Sequence, residues 1–253
     1  MKKAYLTVDD APSRDFAAKM EYLHHHDIPA LFFCEGRLIP QREDVLCAAL
    51  QHGFIIGNHS FSHPHFSDLP VEECRQEIQK TDELIQSVYR RAGVERPGKY
   101  FRFPYFDTGG DESGSAYEAK WGAPQSEWYK YARNDKRGEI QRYLRELGYS
   151  QPQFEGINLK YFKDPNLLTD ADVRCTFDQS EYWLNEKTAP WGLSTEAAIL
   201  ARIEEDRPYE GRALCREDTA DIILVHDHEK TTELFYRIME KYLEKGIIFQ
   251  NFA

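Results

Sequence analysis

The sequence predicts an α/β fold, a parallel sheet or barrel with helices packed outside it. Three observations carry this. Strand-like and helix-like segments alternate over roughly the first sixty residues, the last third repeats the alternation, and 253 residues at 41% hydrophobic content can bury one sizeable core. Successive parallel strands need crossover connections, which the intervening helices supply. One domain over residues 1–253 is the expectation.

The elements follow in chain order. The strand-like YLTV (5–8) leads through a loop with Pro12 and Ser13 into DFAAKMEYLHHH (15–26), which has the apolar spacing of an amphipathic helix. ALFFCEG (30–36) is the second strand. EDVLCAALQHG (43–53) is again helical and stops at Gly53, before FIIG (54–57) forms a third strand. A long helix over 69–93 precedes a strand at KYFRF (99–103). Near the end come the near-continuous apolar strand ADIILVH (220–226), a helix over 231–246 and a closing strand, IIFQNF (247–252).

The middle breaks this rhythm. From Asp107 to about Asp172 the chain is rich in Gly, Tyr, Trp and charge, with one clear helix at KRGEIQRYLRELG (136–148) and a strand candidate at FEGINL (154–159). That is too long for an ordinary connection and too aromatic for a disordered linker, so an ordered insertion, with a lid as one form of it, is the expectation. Trp121 and Trp128 within it would stack on sugars or bury against a neighbour, the second being the more ordinary fate.

Composition narrows the function classes. With 32 Lys and Arg against 43 Asp and Glu, the formal charge is −11, which argues against affinity for nucleic acid or anionic membrane surfaces. No apolar stretch is long enough for a signal peptide or a membrane span. The expected location is cytoplasmic, with secretion the alternative if a leader has been trimmed. Five cysteines (Cys34, Cys47, Cys74, Cys175, Cys215) without C-x-x-C spacing imply neither a disulfide framework nor a structural zinc knot.

Chemistry-bearing side chains gather where strands end. Asp9 and Asp10 close YLTV; at a strand's C-terminal edge both can turn to one site, one as metal ligand and one as base, although such a pair is more often turn or cap chemistry. His59 and His63 in NHSFSH can reach one metal whether the segment is helix or loop. With Asp10 they make a two-imidazole, one-carboxylate set that suits zinc or a similar divalent ion and leaves positions for water and substrate. His65 has no partner at helical spacing, and His24, His25 and His26 end a helix, so none of the four is assigned a role. In RFPY, Arg102 can pair with Asp9, and the chain at Tyr105 can offer an N–H to an oxyanion; an ordinary surface Arg before a tight turn is the alternative. His226 ends IILV, where a near-neutral imidazole suits general acid work on a leaving amine or alcohol, against the competing reading of a buried structural histidine.

TVDD, HSFSH, RFPY and LVH, in this order and around these strands, resemble the motifs of the NodB-like polysaccharide deacetylases, carbohydrate esterase family four. ALFFCEG, HGFIIGNHSFSHP and KGIIFQNF agree, and the likeness covers roughly residues 3–106 and 220–252. The resemblance implies a distorted (β/α) barrel of about seven strands, here with an insertion at about 107–172. It also implies one divalent metal at the C-terminal face, zinc first and cobalt, nickel or manganese as the others. Carried onto this chain, Asp10, His59 and His63 bind the metal, Asp9 is the general base and His226 the general acid. Arg102 orients Asp9, the Tyr105 backbone helps hold the oxyanion, and Leu224 lines the pocket for the acetyl methyl.

The chain departs from that pattern in places. The family's fourth motif is matched only loosely by TFDQSEYW, with Asp178 the candidate to tune Arg102 or His226, Trp183 the candidate substrate contact, and Glu181 where a second Asp is usual. Phe106 stands where glycine is common. The implied activity is metal-dependent removal of acetyl groups from an N- or O-acetylated carbohydrate. The alternatives are hydrolysis of a small non-sugar amide on the same scaffold, and a non-catalytic carbohydrate-binding relative.

Overall fold

In the structure, a computed structural model, residues 1–110, 135–158, 171–206 and 213–252 are described. Most of the 107–172 insertion, including Trp121 and Trp128, lies outside them. Among the described residues six strands form one parallel sheet: β1 (Lys3–Ala11), β2 (Ala30–Cys34), β3 (Ile55–Asn58), β4 (Phe177–Asp178), β5 (Asp221–His226) and β6 (Ile248–Phe249). The order is β3-β2-β1-β5-β4, with β6 on the first residues of β1.

Two single-residue bridges carry the pairing round. Phe101 pairs with Asn58 on one side and Asp172 on the other, and the segment after Asp172 runs into β4, which returns to β5. The pairings thus close on themselves, the barrel the sequence leads one to expect. KYFRF contributes this bridge rather than a full strand, and the described part of FEGINL, residues 154–158, takes no strand pairing. The reason is visible in the side chains: Phe101 and Phe103 turn into a cluster with Phe66, Ile78, Ile140 and Leu144, so packing on the long helix and its neighbour holds the segment in place of a ladder.

Six α-helices are described: α1 (Phe16–His25), α2 (Glu43–Gln51), α3 (Val71–Ala92), α4 (Asp135–Glu146), α5 (Glu196–Ala201) and α6 (Thr232–Glu244). All but the short α5 were legible as amphipathic patterns. Gly93 ends α3 in the left-handed region at φ 69°, a conformation that a Cβ would strain. No described helix is long and apolar enough to cross a membrane.

Strand periodicity sorts each strand into two faces. Ala4, Leu6 and Val8 of β1, with Phe32 of β2 and Ile223 and Val225 of β5, pack outward against helical residues such as Met20, Leu46 and Ile238. Tyr5 faces the other way, with Ile222 and Leu224, while Leu31 and Phe33 meet Tyr100 and Val173. The inward row of β1 therefore reads Tyr5, Thr7, Asp9, and that of β5 reads Ile222, Leu224, His226. Each inward row ends in a polar, titratable side chain at the strand's C-terminal edge, which places the site there.

Candidate active site

Asp9 and His226 are direct register partners across β1 and β5, so two side chains separated by most of the chain stand side by side. Strict alternation would send Asp10 outward to the helices. It does not go there: the β1–β2 register shifts between Val8 and Ala11, and Asp10 adopts φ 61°. An irregularity of this kind re-aims one side chain, and here it brings both carboxylates to one cavity.

Asp9 is 3% exposed and is held by Arg102, whose Nη1 donates to Oδ1 at 2.7 Å and to the Thr7 hydroxyl at 2.9 Å. Arg102 is fully buried, donates through Nε to the Val173 carbonyl at 3.1 Å and lies 4.4 Å from the Phe33 ring centre. A cation with this many fixed contacts orients the carboxylate as a rigid strut.

The loop carrying His59 and His63 is not helical; His63 sits at φ 60° and Ser60 at φ 65°. Its shape is set by side chains outside it. Asn58 accepts the Ser60 N–H at 2.8 Å, while Glu77 of α3 accepts the N–H groups of Phe61 and Ser62 at 2.9 and 2.7 Å. His59 Nδ1 donates to the Arg102 carbonyl at 2.8 Å, which fixes the ring and turns Nε2 to the cavity. His59 Nε2 and His63 Nε2 then lie 3.3 and 3.1 Å from Asp10 Oδ1.

These three ligand atoms lie within 4.8 Å of one another, and Asp10 Oδ1 is a buried oxygen without a hydrogen-bond partner. An acceptor left buried and unpaired beside two imidazole nitrogens fits a cation site with an Asp/His/His donor set. Burial alone would raise the Asp10 pKa, but the hydrogen bond from His228 and the close His59 and His63 imidazoles hold it well below the usual carboxylate range. Burial likewise opposes a charged His59, and the nearby Asp9 and Asp10 carboxylates outweigh it, raising its pKa.

The neighbouring strand β5 carries His226. Glu181, fully buried, accepts the His226 backbone N–H and lies 3.3 Å from its Nδ1. Burial disfavours the imidazolium, yet the Glu181 carboxylate, with Asp10 and Asp178, pushes the His226 pKa up to about 10. The near-neutral value expected from sequence is corrected accordingly: the partner is a buried carboxylate that no local pattern reveals. Asp178 is raised by its own burial and acts on His226 by charge; its Oδ1 accepts the Ser180 N–H, and it is not among the partners of Arg102.

A cavity of about 260 Å³ lies over these side chains. It is lined by Asp9, Asp10, His59, His63, Asp178 and His226, and by Leu224, Tyr105, Phe103, Phe106 and Tyr182. Trp183, expected there from sequence, packs instead against the outer core, and its neighbour Tyr182 takes the lining position. In the short 3₁₀ turn of these residues adjacent side chains diverge, so a one-residue misassignment changes the wall. Tyr105 and Phe106 sit at φ 55° and 54°, the conformation that makes glycine common at the second position.

Of the histidines without an assigned role, His65 stacks on Tyr105 at 3.9 Å and reaches Asp107 at 3.3 Å, and His24 to His26 end α1 on the surface. Two residues escaped the sequence reading, Glu181 as the partner of His226 and His228 as a contact of Asp10. The alternating H-D-H of 226–228 was the only local hint of the second.

Similar proteins can be set beside this geometry. A family model described as polysaccharide deacetylase matches residues 1–120. The chain is similar to a peptidoglycan-N-acetylglucosamine deacetylase of Bacillus cereus, 34% identical over 101 residues, which are 40% of this chain and 35% of that protein. It is similar also to a chitooligosaccharide deacetylase of Rhizobium leguminosarum bv. trifolii, 28% identical over 100 residues, 39% of this chain and 46% of that one. The matched segment thus spans less than half of these relatives' length.

Among solved structures, a family 4 carbohydrate esterase from Streptomyces lividans in complex with acetate superposes with a TM-score of 0.57 at 20% identity, covering 98% of this chain and 91% of that one. A family 4 pseudoenzyme from Bacillus anthracis does so at 0.59 and 19%, covering 99% and 63%. At such identity the likeness is one of fold. An enzyme and a pseudoenzyme share it equally, so the side chains of the site have to carry any argument about activity.

Proposed function

From a chain that carries the polysaccharide deacetylase signature over residues 1–120 on the carbohydrate esterase family four fold, we propose a metal-dependent hydrolase that removes acetyl groups from an N- or O-acetylated carbohydrate. The observation that supports it best is the pairing of Asp9 with His226 across adjacent strands, both lining a cavity that also holds the Asp10, His59 and His63 ligand group. A base, an acid and a cation site at one cavity are the parts that amide or ester hydrolysis needs.

Asp10, His59 and His63 would hold the cation; their N/O donors suit zinc, with cobalt, nickel and manganese as alternatives. When bound there, a divalent ion acidifies a water and polarises an acyl carbonyl. Asp9, its Oδ1 fixed by Arg102, takes a proton from the attacking water through Oδ2. The main chain at Tyr105 faces the developing oxyanion, and Leu224 packs the acetyl methyl. His226, with Nδ1 toward Glu181, delivers a proton from Nε2 to the departing amine or alkoxide.

Acetate release from N-acetylglucosamine oligomers and acetylxylan, with zinc or cobalt added, tests the reading. Release that stops with a chelator and returns on adding metal is expected. Silence across the panel by a metal-loaded protein would move the assignment to a small non-sugar amide.

The acid assignment has its own test. Because Glu181 raises the His226 pKa, the imidazolium persists to higher pH than in a free histidine. Glu181→Gln removes that charge, so His226 loses its proton sooner and the basic limb of the kcat/KM profile moves to lower pH. A limb that stays in place would detach Glu181 from the acid.

A further inference from the structure

Asp10 is the ligand whose aim the strand does not set: it sits at φ 61° within the register shift of β1, where alternation would have turned it away. Something beyond the local backbone has to hold its carboxylate. Its two oxygens have different surroundings. Oδ1 faces His59 and His63, whereas Oδ2 meets His228 Nε2 at 2.6 Å. His228 lines the same cavity but does not belong to the group of ligand atoms that lie within 4.8 Å of one another; it meets the carboxylate through the oxygen that faces neither ligand histidine.

His228 is delivered by a braced arm. The preceding Asp227 donates its backbone N–H to the Asp9 carbonyl at 2.8 Å, and its carboxylate accepts from the Ser13 N–H, the Ser13 hydroxyl and buried Lys19 at 2.6, 2.8 and 2.7 Å. Lys19 also donates to the His228 carbonyl at 3.0 Å. The arm therefore ties the end of β5 to the β1–α1 loop on both sides of Asp10. The carboxylate can only accept, so Nε2 carries the hydrogen.

We propose that His228 is a positioning residue for the metal site, donating from Nε2 to Asp10 Oδ2 so that Oδ1 alone is presented to the cation beside His59 and His63. The inference rests on the proposed reading of that site as a metal centre. It adds a residue to the machinery: a hydrogen bond on Oδ2 would fix the Asp10 carboxylate so that Oδ1 is the oxygen offered to a cation.

Cobalt(II) affinity, measured on the metal-stripped full chain by competition with a chromophoric chelator, tests this together with the visible spectrum of the bound ion. The wild type, His228→Ala, His228→Gln and, as a ligand control, His63→Ala are compared. We expect His228→Ala to bind cobalt about 10- to 100-fold more weakly, the usual effect of losing a ligand's hydrogen-bond partner. His228→Gln keeps a donor at similar reach and should recover most of the loss, with an unchanged spectrum. Wild-type affinity in His228→Ala, while His63→Ala is crippled, would overturn the role of His228 and leave the metal centre standing. A His228→Gln variant as weak as His63→Ala, with the same spectral change, would make His228 a direct ligand and overturn it as well. A wild type that binds no cobalt would defeat the metal centre and this inference together.

Discussion

Replacing Asp9 with Asn should slow acetate release by about 10²- to 10⁴-fold, the range a positioned general base contributes, while metal content stays near one ion per chain. Asn keeps the shape of the side chain and can still accept from Arg102 Nη1 at the position now 2.7 Å away, but it cannot take a proton from water. Asp10, His59 and His63 are untouched, which separates loss of the base from loss of the cation. Some stability is lost too, because the fully buried Arg102 no longer faces a full negative charge. Steady-state rates alongside metal analysis of the purified variant provide the check. A variant within about tenfold of wild type would mean that Asp9 is not the base, since a base contributes at least on the order of a hundredfold.

The second large effect is expected at Arg102. Arg102→Met should destabilise the fold by about 3–5 kcal/mol, since it leaves the buried Asp9 carboxylate without its cation. The guanidinium does more than neutralise: Nη1 bonds Asp9 and Thr7 of β1, and Nε bonds Val173, beside the bridge that carries the sheet from Phe101 to Asp172. Removing it loosens the base and the weakest stretch of the barrel wall together. Arg102→Lys retains the charge but not a planar fork that reaches three acceptors, so it should fall between the two. Urea denaturation is the measurement; a cost below about 1 kcal/mol for Arg102→Met would show that solvent screens the pair, as it does exposed ones.

Much of the architecture could be read locally. β1, β2, β3 and β5 lie where apolar runs of strand length occur, and α1, α2, α3, α4 and α6 where apolar residues recur at helical spacing. Asp9, Asp10, His59, His63, Arg102 and His226 could be picked out because each stands at the end of such a run. The weaker pieces, β4, the Phe101 bridge and α5, carry little pattern of their own and exist through what they pack against.

What the sequence determined by itself is the strongly patterned elements and the chemical kind of each strand-end side chain, because both depend on residues within a few positions of one another. The tertiary structure decided which of those side chains meet. Strand pairing set Asp9 against His226, a register shift turned Asp10 onto the inner face, and barrel closure brought Arg102 beneath Asp9. The same closure chose Tyr182 over Trp183 for the cavity wall and gave His226 a buried Glu181 as partner. It also laid His228 against Asp10, 218 positions away along the chain. Contacts at that separation are fixed by sheet order and by the entropy already spent in forming it, and no local periodicity encodes them.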